Sequence, residues 1–138
     1  MNKLMCTLLV LMILPGCKKS EDLETSVNNR WQAVVENDLE KAYEYFSPGY
    51  KKIENLLSYR NRIATAKINM NWTSGKYKSA QCETDSDTDT VSTCKVQVQV
   101  AYTYTFPRRS MGTVGTESVV VEDWIQVKGK WYLVPKER

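Results

Sequence analysis

The sequence predicts an α+β domain in which helices come first and an antiparallel sheet follows. Apolar residues recur at helical spacing from Leu23 to Ala64, and from Ile68 onward they recur at every second position. The order of the two patterns is a further observation, because strands that follow one another directly form a meander with the helices gathered on one face. The expectation is N-terminal helices packed on a curved antiparallel sheet of about four to five strands.

Leu23, Val27, Trp31 and Val34 fall on one helical face, with Val35 beside them. Asn37-Asp38-Leu39-Glu40 breaks this helix and starts another, with Asn37 read as the N-cap and Glu40 closing a capping box. The second helix turns Leu39, Ala42, Tyr43 and Phe46 inward and stops at Ser47-Pro48-Gly49. Proline cannot continue the hydrogen-bond ladder there, and glycine relaxes the turn. A third helix places Ile53, Leu56, Leu57, Ile63 and Ala64 on a common side. Ile68, Met70 and Trp72 then alternate with Asn69 and Asn71, and a second strand is expected around Tyr77–Glu83. The clearest strand has Val96, Val98, Val100, Tyr102, Tyr104 and Phe106 on one face and Lys95, Gln97, Gln99, Thr103 and Thr105 on the other. Pro107–Gly115 reads as a loop holding Arg108, Arg109 and Gly112. Thr116–Lys128 reads as a strand that turns at Gly129 and returns through Trp131, Leu133 and Val134 to Pro135. No internal repeat is visible.

Ahead of these elements stand Met1-Asn2-Lys3, the apolar run Leu4–Leu14 and then Pro15-Gly16-Cys17-Lys18-Lys19-Ser20. A positive start, a short apolar stretch and a small residue at the break form a secretory signal. The apolar run is about half of the roughly 20 residues that a spanning helix needs. Leu14-Pro15-Gly16-Cys17 resembles the lipobox of bacterial lipoproteins. That resemblance implies a diacylglycerol thioether on Cys17, cleavage before it and acylation of the new amino group. Residues 1–16 are then the signal peptide, 17–22 a lipidated tether and 23–138 one domain. Lipoproteins kept in the inner membrane typically carry Asp after the lipidated cysteine. Lys18 stands there instead, which implies the periplasmic face of the outer membrane. Lys18 and Lys19 either touch anionic headgroups or simply solvate the tether.

The whole chain carries 19 basic and 16 acidic residues, net +3, and losing Lys3 with the signal leaves +2. This charge is too small, and its basic residues too scattered, for a nucleic-acid partner. Cys6 leaves with the signal and Cys17 goes to lipid, so Cys82 and Cys94 remain in a compartment that permits disulfides. They flank the polar loop Glu83–Thr93 and are expected to bridge, the alternative being two buried thiols. With no histidine and only these two sulfurs, neither a zinc site nor a cofactor is expected. Asp85, Asp87 and Asp89 alternate like the start of a calcium loop. That pattern fails where glycine and glutamate are required, since Thr90 and Val96 stand there.

Three stretches together resemble the NTF2-like superfamily, also called SnoaL-like or cystatin-like. They are Trp31 with Asn37-Asp38-Leu39-Glu40-Lys41-Ala42-Tyr43 and Phe46-Ser47-Pro48, the long strand Cys94–Phe106, and Glu122-Asp123-Trp124 through Trp131-Tyr132-Leu133-Val134. The resemblance implies a conical cavity between a curved sheet and the first helix. Enzymes of that superfamily generally use a cavity Asp or His as a general base, and fold alone does not decide function.

Asp123 is the one candidate base, because it shares strand parity with Val119, Val121 and Ile125. A carboxylate on an apolar face would have a raised pKa. The alternatives are that a bulge turns it outward or that it pairs with Arg60 or Arg62, themselves read as a solvated helix face. Trp31, Tyr43, Tyr59, Trp72, Tyr102, Tyr104 and Trp124 either line a pocket or fill the core. The leading expectation is a lipid-anchored, non-catalytic domain that binds a protein, a peptide or a small apolar ligand. The resemblance further implies a homodimer through the exposed sheet face. The competing readings are a small isomerase, cyclase or dehydratase using Asp123 with a tyrosine donor, and a purely structural envelope protein.

Overall fold

The computed structural model describes residues 21–84, 86–87 and 92–136. The signal peptide, Cys17 and the tether up to Ser20 lie outside the described residues, as do Asp85, Asp89 and Thr90. The described residues form an α+β domain with the predicted order. Helices α1 (Leu23–Val35), α2 (Leu39–Glu44), α3 (Pro48–Lys51) and α4 (Leu56–Ala66) precede strands β1 (Met70–Thr84), β2 (Ser92–Thr105), β3 (Thr113–Val127) and β4 (Lys130–Val134). The strands make one antiparallel sheet in the order β1-β2-β3-β4. Among the described residues no helix is long and apolar enough to cross a membrane.

Each α-helix begins at a side-chain cap, which satisfies one of the orphan N–H groups of its first turn. Asp22 accepts from the Thr25 N–H, Asp38 from Lys41, Ser47 from Tyr50 and Asn55 from Ser58. The cap of α2 is thus one residue later than the sequence implied. Asn37 instead adopts φ 63°, a left-handed conformation that asparagine tolerates, and so turns the chain out of α1. The third helical face also differs from expectation. Tyr59 and Ile63 are buried, whereas Ile53 lies ahead of α4 and is 72% exposed, and Leu57 is 66% exposed. Leu56, Tyr59 and Ile63 make the inward stripe, so an aromatic residue took the place that spacing had assigned to aliphatic ones.

The core lies between α1 and the middle of the sheet. Val27, Trp31 and Val34 of α1 meet Val96, Val98 and Val100 of β2, Trp124 of β3 and Leu133 of β4, all buried. At the crossing, Gly75 of β1 lies beneath the Trp31 ring. A Cβ built there would sit 2.5 Å from Trp31 Cδ2, so only glycine admits the indole. Two bulges, at Trp72/Ser74 and Tyr77/Ser79, bend β1 around the helix. At the second, Asn28 of α1 accepts a 2.8 Å hydrogen bond from the Tyr77 N–H.

Cys82 and Cys94 form the expected disulfide, at directly paired positions of β1 and β2. The strands run on past it to Thr84 and from Ser92, so the loop is shorter than predicted. Closing a loop with a sequence separation of 12 stabilises the fold by about 3 kcal/mol in the chain-entropy model. The far side of the sheet is closed as well. Leu133 of β4 donates to the Tyr45 carbonyl at 2.7 Å and accepts from the Ser47 N–H at 3.0 Å, so the chain between α2 and α3 shields that edge.

Candidate functional site

Register decides which face of β3 looks inward. Trp124 pairs with Cys94, Glu122 with Val96, Val120 with Val98 and Ser118 with Val100, and those four β2 residues are all buried. Val119 and Val121, on the opposite parity, are each 44% exposed. Asp123 shares their parity, opposite Lys95 on one side and Val134 on the other. The β2–β3 register is continuous there, so plain alternation rather than a bulge sets its direction. Nor does it pair with the helix arginines as considered from the sequence. Arg60 binds Glu40, and Arg62 forks Glu54 with Nε and Nη2, each at 2.8 Å.

The carboxylate that does face the core is Glu122. Its Oε1 accepts from Arg30 Nη1 at 2.6 Å and from Trp31 Nε1 at 3.1 Å, and its Oε2 accepts from Trp124 Nε1 at 3.0 Å. The side chains of Arg30 and Glu122 are only 10% and 11% exposed. Three donors on two oxygens lock the carboxylate in place. They join α1 to β3 through one charge-assisted pair and two indoles, each such bond contributing about 1.5–3 kcal/mol where a charge is involved.

A cleft opens beside this centre because β4 is much shorter than β3. β4 pairs with β3 only from Asp123 to Val127, so β3 has no strand neighbour on that side at Val121 and Glu122. Arg30 of α1 and Arg62 of α4 reach across the gap, which holds about 250 Å³. Phe46, Val121 and Leu133 supply its apolar wall, and Glu122, Asp123 and Lys136 also border it. Behind the cleft, and not bordering it, the Tyr59 hydroxyl is buried near Arg30, and neither it nor Arg30 Nε makes a well-formed hydrogen bond to any further group. The Arg62 guanidinium carbon lies 5.2 Å from the centre of the Tyr59 ring. Burial pushes the Tyr59 phenol above its ordinary pKa, and the charges of Arg30 and Arg62, together with a hydrogen bond to Arg30, oppose that shift.

Among the described residues, three wider depressions are less well equipped, among them one of about 650 Å³ that adjoins the cleft at Arg62, Pro135 and Lys136. One of about 820 Å³ between α2 and α4 is of mixed polarity and contains the Arg60–Glu40 ion pair, where both side chains are well exposed. Another, of about 620 Å³, is bordered by Pro48–Ile53 and by Ile125 and Val127, and is nearly all apolar. Volume alone does not make a site. The smaller cleft is the candidate because it combines an apolar wall with convergent buried polar groups.

The aromatic residues anticipated around a pocket fall into two groups. Trp31, Tyr59 and Trp124 are buried, and Tyr43 packs edge-on against Phe46 and beside Tyr59, with ring centres 5.6 and 5.8 Å apart. Trp72, Tyr102 and Tyr104 lie half-buried towards the other end of the sheet, where Trp72 pairs with Tyr102 and Met70 with Tyr104. Arg30 and Glu122 were not anticipated, although the sequence carried a signal for both. Arg30 completes the stripe Val27, Trp31 and Val34 at helical spacing, and a cation in an apolar stripe calls for a buried anion. Glu122 stands two residues from Trp124 on the same strand face. Among the described residues, no group of three or more His, Cys, Asp or Glu side chains is placed to hold a metal ion.

No known protein family matches the sequence, and no curated protein does either. Among solved structures, the chain is similar to a SEC-C motif-containing protein from Rhodopseudomonas palustris. The two share 10% identity at a TM-score of 0.51, over 77% of this chain and 70% of the other. At that identity the likeness concerns the fold alone.

Proposed function

We propose that the protein is a lipid-anchored lipoprotein at the periplasmic face of the outer membrane. Its NTF2-like domain holds a small ligand in the cleft beside Arg30 without transforming it. The lipobox at Cys17 supports the anchor, and helices followed by an antiparallel meander support the superfamily. The observation that carries the binding role is the state of Glu122. A carboxylate saturated by Arg30, Trp31 and Trp124 is a poor proton acceptor but a rigid support, fixing Arg30 at the border of the cleft.

Two measurements test this. With Cys17→Ser, or with globomycin present during expression, the protein is expected to leave the membrane fraction or to remain as uncut precursor. A C17S protein that still sediments with membranes removes the anchor. Screening small-molecule fragments by ¹⁵N-resolved NMR should shift the Trp31 and Trp124 indole N–H signals for some fragments. Indoles unmoved by every fragment would remove the binding role. Asp123 borders the same cleft, which favours a second, catalytic reading; under it, Asp123→Asn would abolish turnover while leaving the affinity for a bound fragment intact.

A further inference from the structure

We propose that the open edge of β3 joins a second copy of this chain, antiparallel and about a two-fold axis at Ser118. The two four-stranded sheets then become one continuous sheet. This pairing is independent of the ligand-binding reading above.

β4 pairs with β3 only from Asp123 to Val127, and among the described residues Thr113–Glu122 has a strand neighbour on the β2 side alone. Such an edge presents a row of backbone N–H and C=O groups to any strand that can lie beside it. Thr113–Glu117 is exposed throughout, and Val119 and Val121 are each 44% exposed. The register with β2 is unbroken from Thr113 to Ile125, so no bulge bends this edge away. The other free edge is guarded. β1 carries two bulges and the exposed Lys76 and Lys78, which are devices that discourage pairing. The open stretch of β3 has no lysine, arginine or proline, and Glu117 is the sole charge on its outer face.

Charge selects the register. Residues directly opposite in an antiparallel pair share a face, so a strand pairs with its own copy only about a residue that meets itself. Centred on Glu117, the seam would set two carboxylates against each other, which is destabilising. Centred on Ser118, it pairs Val114 through Glu122 of each copy and puts Glu117 opposite Val119. Centres further along shorten the seam, because Asp123 already has Val134 as its partner. About Ser118, Val119 and Val121 of both copies gather on the outer face, where a single copy leaves them half in water. Glu117 accepts from Gln99 Nε2 at 3.2 Å, on the β2 side and away from the seam. A second copy fits this edge better than an unrelated strand because the assembly closes. The two-fold seam consumes both open β3 stretches and leaves only the guarded β1 edges outside.

The test uses the full chain purified in detergent, with each variant judged against the unaltered chain. Sedimentation should show a dimer. Ser118→Cys sets two thiols opposite each other at about 4.5–5.5 Å between Cα atoms, within disulfide reach, so oxidation should give a covalent dimer. Val121→Cys faces Gly115 of the second copy and should give none. Val119→Asp meets Glu117 of the other copy on both sides of the axis and should weaken association roughly tenfold. Val119→Lys gains an opposite charge at the same two places, so its dimer should be roughly tenfold tighter than that of V119D. Val119 is half-exposed, so both variants keep the fold of the single copy. The proposal is overturned by a chain that stays monomeric, or by equal weakening in V119D and V119K. It is also overturned if V121C cross-links and S118C does not, which would mean that the outer sheet faces meet instead.

Discussion

The two ends of the β2 strand obey the same alternation and have different fates. At one end, Cys94, Val96, Val98 and Val100 are sealed under α1, none of them more than 2% exposed. At the other, Tyr102 and Tyr104 continue on the same face and are only half-buried, while Val114 opposite Tyr104 is 44% exposed. Period two tells which residues share a face, but it does not tell what covers that face. The difference lies in the partner layer. α1 crosses β1 at Gly75, and Glu122 anchors that crossing through Arg30 and Trp31.

If cover rather than pattern sets the energetics, matched substitutions at the two ends should differ sharply. Glu122→Ala should have the largest effect. It leaves the Arg30 charge and two indole donors unpaired in the core, and about 3–5 kcal/mol should be lost in urea unfolding. Trp124→Ala, which empties a fully buried site, should lose a similar amount, about 3–5 kcal/mol. Replacing both Cys82 and Cys94 by serine should lower stability by about 3 kcal/mol without moving the β1–β2 register. At the open end, Tyr104→Ala gives up its edge-on contact with Phe106 and should lose about 1 kcal/mol. A Tyr104→Ala penalty equal to that of Trp124→Ala would mean that the open end is sealed in solution.

The smallest effect in this series is one of pH. Burial, followed by the hydrogen bond to Glu21 and that residue's charge, pushes the Tyr45 phenol up from 10.0 to about 12. The folded state therefore holds this proton more tightly than the unfolded chain does. The stability tied to the neutral phenol is complete below pH 10.0 and is lost as the pH rises through about 12. Unfolding midpoints followed across that range should fall, and Tyr45→Phe should flatten the fall. A midpoint that declines equally in Y45F would place the alkaline sensitivity elsewhere.

Much of the scaffold was legible because it depends on local rules. The face of α1, the paired cysteines and the long strand through Val96–Thr105 follow from spacing and turn chemistry, whereas α2 already ends at Glu44 and Pro48, read as a stop, opens α3 as its first residue. The inward face of β3 was not legible. Val119, Val121 and Ile125 make the more apolar set by composition, yet the face with Glu122 and Trp124 is the one that packs inward. Register with β2 decides this, and register is a property of two strands together. The same gap in single-sequence reasoning hid Arg30. It counts as surface by residue type and becomes core only once Glu122 is placed against it. Composition thus pointed to Asp123 where pairing points to its neighbour.

The short segment that bonds to Leu133 has a consequence for how copies of this molecule could associate. With Tyr45 and Ser47 occupying the backbone groups of Leu133, the margins left without a strand neighbour are β1 and the part of β3 that runs beyond β4, from Thr113 to Glu122. A pair joined along β1 would still carry that open stretch of β3 on each of its outer sides. The block at Leu133 therefore seals one short strand and leaves its longer neighbour available.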